Sequence, residues 1–264
     1  MIVGESTLSE YASYLALEDV LQAQRPRSAA HDEMLFIVVH QVHELWFKLL
    51  LHEFSRLQLH LSRCETAHAL QTLRRSLSIL RVVVSPMDVL ETLTPRQFSG
   101  FRPALGSGSG FQSAQFREIE AVLGRRDRRM YEYFGEGSDE RARIEAAMNR
   151  PSMYDSLLRF LALNGYPVPG DWLHRDVSQP LLPATELQNV LLRVYRDDGV
   201  AAQICELLVE VDQGVQEWRY RHVSLVSRMI GDKRGTGGSS GASYLRSTLF
   251  RPVFPDLWAV RGAL

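Results

Sequence analysis

The stretch MLFIVVHQVHELWFKLLLHE, residues 34–53, decides the fold. It is apolar enough for the middle of a core helix. Yet it carries His40, His43 and His52 together with Glu44 and Lys48. Groups that titrate or bind metals are costly in a segment that buries itself. Ser28 to Asp32 supply capping residues ahead of it, so the spacing predicts one long helix from there to about Arg63.

Outward from this helix, the same periodicity continues. Upstream, LSEYASYLALEDVLQAQ (8–24) is amphipathic and is stopped by Pro26. Downstream, 68–93 reads as a long helix with a break or kink at Pro86. Thr94 and Pro95 then restart a helix as its N-cap and first turn, ending by Gly106. GSGSG (106–110) is a loop of small residues, followed by a helix from about Gln112 to Leu123. The polar stretch RRDRRMYEYFGEG (125–137) precedes short helices at 138–149 and 152–164. NGYPVPGDW (164–172) reads as a loop, 184–197 and 201–230 as helices. GDKRGTGGSSGAS (231–243) is a second glycine-rich loop, with a short helix from Tyr244. No strand hairpin or fixed-period repeat is present. The fold class is all-α, a bundle of long helices.

The totals agree. A chain of 264 residues, 45% hydrophobic, buries a substantial core, and one domain over 1–264 is expected. A net charge of -1 with 23% charged residues gives no basic excess for nucleic acid and no acidic excess for disorder. Cys64 and Cys205 are too far apart for a paired-thiol motif. MIVGESTLSEY has no basic region followed by an apolar core. The longest apolar runs are broken by His, Gln, Glu and Lys before the ~20 residues a bilayer crossing needs. A soluble, cytoplasmic protein is expected, with neither nucleic acid nor membrane as a partner.

The histidines differ in what their neighbours imply. His43-Glu44 begins a zinc-protease H-E-x-x-H pattern, but Phe47 stands at its fifth position and the pattern fails. His31, His52, His60, His68 and His174 read as half-buried rings with one satisfied nitrogen. His40 follows Phe36 by four residues, on the same helical face. It is either a tucked-in core group or the single polar handle of an apolar pocket. His222 sits beside Trp218, Val215, Leu225 and Val226. It is either a satisfied core histidine or an axial haem ligand, which needs one neutral imidazole and an apolar wall. Covalent haem attachment through C-x-x-C-H is excluded.

The loops are equally two-sided. GTGGSSG (235–241) lacks the Lys of a Walker loop and the third Gly of a dinucleotide fingerprint. Its backbone N–H groups, with Thr236, Ser239 and Ser240, suit a small polar or anionic ligand, or the loop is a plain connector. Arg102 follows Phe98 by four residues. An aromatic beside a guanidinium suits an aromatic carboxylic acid, although a surface arginine accounts for Arg102 equally simply.

Three blocks carry a resemblance to a known family. They are HDEMLFIVVHQVHELWFKLLLHE (31–53), VLETLTPRQFSGFRPALGSGSGFQSAQFREIE (89–120) and WRYRHVSLVSRMIGDKRGTGGSSGASYL (218–245). In that order the sequence resembles the haem-dependent tryptophan 2,3-dioxygenases, and YASYLALEDVLQAQRP (11–26) is similar too. The resemblance implies haem b, with His222 as the axial ligand of its iron. It implies His40 facing the substrate indole N–H, Phe36 and Phe98 lining the pocket and Arg102 clamping the carboxylate. It places Thr236 at the amino-acid head and Ser109 and Gly110 near haem and oxygen. It implies that Tyr11, Tyr14 and Leu15 reach a neighbouring subunit's pocket in an intertwined homotetramer. The reaction implied is insertion of O2 across the indole C2–C3 bond of L-tryptophan to give N-formylkynurenine, the first step of tryptophan catabolism. A relative that mono-oxygenates a modified indole is the alternative. Four departures keep it open. Phe98 replaces a tyrosine of some members, Met87 an aromatic on the haem side, position 43 is unusual as His, and the region from about 125 to 185 is compressed.

Overall fold

The computed structural model describes residues 9–106, 112–231, 233, 246 and 249–264. Among them there are helices and turns and no strand, as the periodicity requires. The predicted central helix is α3, Asp32–Ser62. Asp32 and Glu33 place negative charge in its first turn, where the helix dipole favours it. Ser28 does not cap it directly. Its hydroxyl and backbone N–H both donate to Glu33 (2.5 and 2.8 Å), and the Arg27 N–H donates as well, at 2.8 Å. That carboxylate fastens the incoming chain to the helix.

Cys64, in the left-handed region at φ 54°, turns the chain into α4, Thr66–Val84. So short a connection makes α3 and α4 antiparallel neighbours. Leu50, Phe54, Leu57 and Leu61 recur on one face of α3 and are almost completely buried. They meet Leu73, Leu77, Leu80 and Val83 of α4, and Ile204, Leu208, Val211 and Val215 of α12, Val200–Ile230. Each such side chain contributes roughly 1.5–3 kcal/mol on burial. Gly214 lets α12 approach α4 closely, since a Cβ there would lie 3.2 Å from Leu80 Cδ1.

Pro86 breaks the predicted 68–93 helix outright: α4 ends at Val84 and α5 runs Pro86–Leu90. Thr94 caps α6, Pro95–Phe101, in a capping box with Gln97. Next comes α7, Ala114–Leu123, whose cap is Ser113. Then α8 (Asp139–Met148) and α9 (Met153–Leu163) are also serine-capped, by Ser138 and Ser152. A short α10, Gly170–Leu173, interrupts the predicted loop, and α11 spans Thr185–Asp197.

One expectation is corrected. The 8–24 helix is two pieces, α1 Glu10–Tyr14 and α2 Leu17–Leu21, separated at Ala16 (φ 47°), and neither buries a residue. A positive φ at a non-glycine residue breaks the helical hydrogen-bond run. The short helix expected from Tyr244 lies almost wholly outside the described residues. An unpredicted helix, α13 at Pro255–Ala259, docks on α12. Fully buried Asp212 fixes this docking by accepting from Val253 N (2.8 Å), Phe254 N (3.1 Å) and Trp258 Nε1 (2.9 Å). By length and composition α3 is apolar enough to cross a bilayer, despite its polar interruptions. Here one face of it packs against α4, α7 and α9.

Candidate functional site

A second apolar cluster stands apart from the main core. Val39, Leu90, Leu93, Phe101 and Leu225 form it, with Phe36, Phe98 and Met229 packed on its edge. It joins the first half of α3, the α5–α6 region and the C-terminal end of α12. Phe36 is its hub, with ring centroids 4.0 Å from His40, 5.5 Å from Phe101 and 5.9 Å from Phe98. The i, i+4 spacing of Phe36 and His40 thus becomes an aromatic wall with one polar ring in it.

The state of His40 follows from its hydrogen bond. Nδ1 lies 2.7 Å from the Phe36 carbonyl oxygen, which can only accept. Nδ1 therefore carries the proton, and Nε2 of the neutral ring is left as an acceptor. Burial lowers its pKa below the ordinary imidazole value, so the ring is neutral at physiological pH.

His222 lies on α12 and stacks on Trp218, one turn earlier, at 5.1 Å and 10° between planes. Burial, with the charges of His40, Arg117 and His43 acting in the same direction, depresses its pKa to about 3. Trp218 also meets the His43 ring edge-on at 6.5 Å, and His43 lies 6.4 Å from His40, so the three histidines border one region. A neutral imidazole keeps a lone pair for a metal.

His43 is explained by packing. Its Nε2 lies 3.0 Å from the Val83 carbonyl, where it donates across to the last turn of α4. Burial first, then His40, lowers its pKa to about 4. Glu44 likewise has a structural partner: Gln115 Nε2 donates both to its carboxylate and to its backbone carbonyl, each at 2.8 Å. Lys48 and His52 are exposed. Met87 is buried in the main core, outside the cluster around Phe36.

Arg102 closes α6. Its backbone N–H bonds to the Phe98 carbonyl, so the helical turn is complete and places the two side chains on one face, as the spacing predicts. The guanidinium is half-buried at the start of the 3-10 turn Arg102–Leu105. Tyr11, Tyr14 and Leu15 lie on the exposed N-terminal segment and pack on no core among the described residues. Thr236, Ser109 and Gly110 lie outside the described residues. Of the histidines read as half-buried, His31, His52, His68 and His174 are exposed, while His60 is buried with both ring nitrogens bonded.

Behind the aromatic wall is a buried ionic node. Glu120, 1% exposed, bonds Arg117 at 2.6 Å, Arg219 at 2.5 Å and Arg125 at 2.8 Å. Burial alone would raise its pKa, but the three guanidinium groups together pull it far below the usual carboxylate range. The node ties α7 to α12 three residues before His222. Two donors on this stretch of α12, Trp218 Nε1 and Arg219 Nε, are buried with no acceptor among the described residues. Sequence reasoning missed Phe101, Glu120 and Arg219. Phe101 was detectable, three residues from Phe98 on the same short helix. The Glu120–Arg219 pair spans 99 residues and left no local signal.

The family model described as tryptophan 2,3-dioxygenase matches residues 3–170 and 173–264. A tryptophan 2,3-dioxygenase of Anaeromyxobacter sp. (strain K) is 60% identical over 261 residues, covering 99% of this chain and 98% of its own. One from Herpetosiphon aurantiacus is 50% identical over 256 residues, covering 96% and 98%. One from Caulobacter vibrioides is 42% identical over 257 residues, with the same coverage. With identity this high along nearly the whole length, the chain belongs to the tryptophan 2,3-dioxygenase family.

Proposed function

We propose that this chain oxygenates L-tryptophan with O2 at the indole C2–C3 bond, giving N-formylkynurenine, and that haem b is its cofactor. One observation carries the reading: His40 presents an unprotonated Nε2 from within an aromatic wall of Phe36, Phe98 and Phe101. An indole needs an apolar slot and one acceptor for its N–H. Arg102, on the same face as Phe98, supplies the charge that an amino-acid carboxylate requires. A site whose buried acceptor is left unpaired by an analogue lacking the N–H discriminates strongly against that analogue.

The residues present fit haem. His222 is neutral, stacked on Trp218 and three residues from a buried arginine, a setting for an axial ligand beside an anionic group. The unsatisfied Trp218 Nε1 and Arg219 Nε are donors that such a group would engage. When bound, haem iron supplies the oxygen chemistry, and the chain's own part is to bind, orient and keep the site dry. Phe36 and Phe98 hold the indole plane, His40 Nε2 fixes its N–H, and Arg102 fixes its far end. Thr236 at the head of the substrate, and Ser109 and Gly110 near the oxygen, complete the assignment by resemblance. We place the protein in the cytoplasm as a homotetramer. The exposed Tyr11, Tyr14 and Leu15 reach a neighbour, and exposed Met34, Val38, Leu45 and Leu49 give α3 an apolar outer stripe that association would cover.

Product analysis tests the reaction. Reduced, haem-loaded protein given L-tryptophan and labelled O2 is expected to form N-formylkynurenine carrying two labelled atoms. One labelled atom would identify a mono-oxygenase instead, and no product from haem-loaded protein would overturn both readings. Arg102→Ala is expected to lower kcat/KM for L-tryptophan by about ten- to a hundredfold, mainly through KM. That corresponds to the roughly 1.5–3 kcal/mol of a hydrogen bond to a charged group. Steady-state kinetics with an unchanged KM would remove Arg102 from the carboxylate clamp.

A further inference from the structure

Roughly 30 Å along α3 from His40, at the corner where α3 turns into α4, a second set of ligand-type side chains converges. His60 is on the last turn of α3, Glu65 is the N-cap of α4 and His68 lies on its first turn. One ligand atom from each falls within 4.8 Å of the others. His60 Nδ1 is 2.5 Å from Glu65 Oε2, and the two imidazole rings stack at 5.2 Å and 19°. The backbone holds the arrangement. Glu65 N–H donates to the His60 carbonyl at 2.9 Å, and Cys64 adopts the left-handed conformation that reverses the chain. The Cys64 thiol is engaged elsewhere, accepting from Asn164 Nδ2 at 3.6 Å.

We propose that His60, Glu65 and His68 form a binding site for a divalent transition metal of the zinc class, separate from the oxygenase pocket. Two imidazoles and one carboxylate are a borderline donor set that favours zinc, copper or nickel over magnesium or calcium. Tetrahedral zinc with bonds of about 2.0–2.2 Å needs its ligands roughly 3.4 Å apart. The His60–Glu65 pair opens slightly to meet this, and exposed His68 closes from the solvent side. Solvent access leaves the fourth position to water. Two neighbours oppose the ion. Arg63 lies 3.9 Å from Glu65, and Arg56 Nε donates to His60 Nε2 at 3.1 Å. Arg56 marks Nε2 as the lone-pair nitrogen and Nδ1 as the protonated one. On binding, the neutral ring changes tautomer: Nδ1 gives up its proton, Nε2 takes one up from solvent, and the metal occupies Nδ1 with no net proton release. The exposed Arg56 side chain swings away from the newly protonated Nε2. The metal would clasp the ends of two core helices, so its effect is on stability rather than on turnover.

The test uses the full-length protein, freed of adventitious metal with a chelator and titrated with zinc sulfate by calorimetry. Wild type is expected to bind one zinc per chain, with a rise in Tm. His68→Ala, at an exposed position, is expected to weaken binding by at least about tenfold and to abolish the Tm rise. Arg56→Ala is expected to tighten binding, an outcome that a merely structural hydrogen-bonded corner does not produce. His52→Ala, removing another exposed histidine on α3, is expected to leave binding unchanged. No saturable zinc binding, wild-type affinity in His68→Ala, or zinc lost in His52→Ala would each overturn the site.

Discussion

His222→Ala is expected to give a folded protein that carries little haem and has lost more than about a hundredfold of its tryptophan turnover. Hundredfold is the upper end for disturbing a group one shell away from a metal, and an axial ligand sits closer than that. Neither of the other two histidines near the site substitutes. His43 already donates to the Val83 carbonyl, and His40 is committed through Nδ1 to the Phe36 carbonyl and through Nε2 to the pocket. Loss of the ring leaves a gap against Trp218. That gap is at the edge of a half-buried site, so the helical signal in circular dichroism is expected to persist. Haem content per chain, read from the Soret band, decides the matter. Wild-type content and spectrum in the variant would show that His222 is not the axial ligand.

Glu120→Gln is expected to lower the free energy of unfolding by about 3–5 kcal/mol, the range for removing one partner of a buried ion pair. The amide fills the same space but brings no charge to Arg117, Arg125 and Arg219. Three guanidinium groups then crowd a region with the dielectric of a core. The pH dependence separates this from a packing defect. A carboxylate whose folded-state pKa is depressed stabilises the fold fully above its ordinary value of about 4.3 and loses that contribution as pH falls below it. Wild type is therefore expected to lose stability more steeply than the variant below about pH 4.3. Urea unfolding at pH 7 and at lower pH checks both statements; parallel curves would remove Glu120 as the source of the acid dependence.

The fold was legible where local physics decides it. Thr94-Pro95 starts a helix wherever it is placed, and Pro86 cannot continue one. The Phe36–His40 and Phe98–Arg102 pairs were legible for the same reason, because both spacings are one helical turn. What the sequence concealed was long-range. Whether His40 and His222 were core rings or site rings depended on two helices more than 180 positions apart meeting, which no periodicity encodes. His43 looked anomalous beside its relatives until Val83, 40 residues on, supplied a carbonyl for it. α13 went unpredicted because five residues carry too little pattern, and its existence depends on Asp212.

That last dependence bears on the order of events at the ribosome. The three donors that satisfy Asp212 are made 41 to 46 residues after it. Until they emerge, α12 carries a carboxylate that has only the adjacent Gln216 to bond within the chain, at 2.9 Å. Drawing it out of water in that state is costly. The helix that bears His222 therefore finishes docking only once α13 has been made. The side of the site that carries His222 thus waits on a segment made 41 to 46 residues after Asp212.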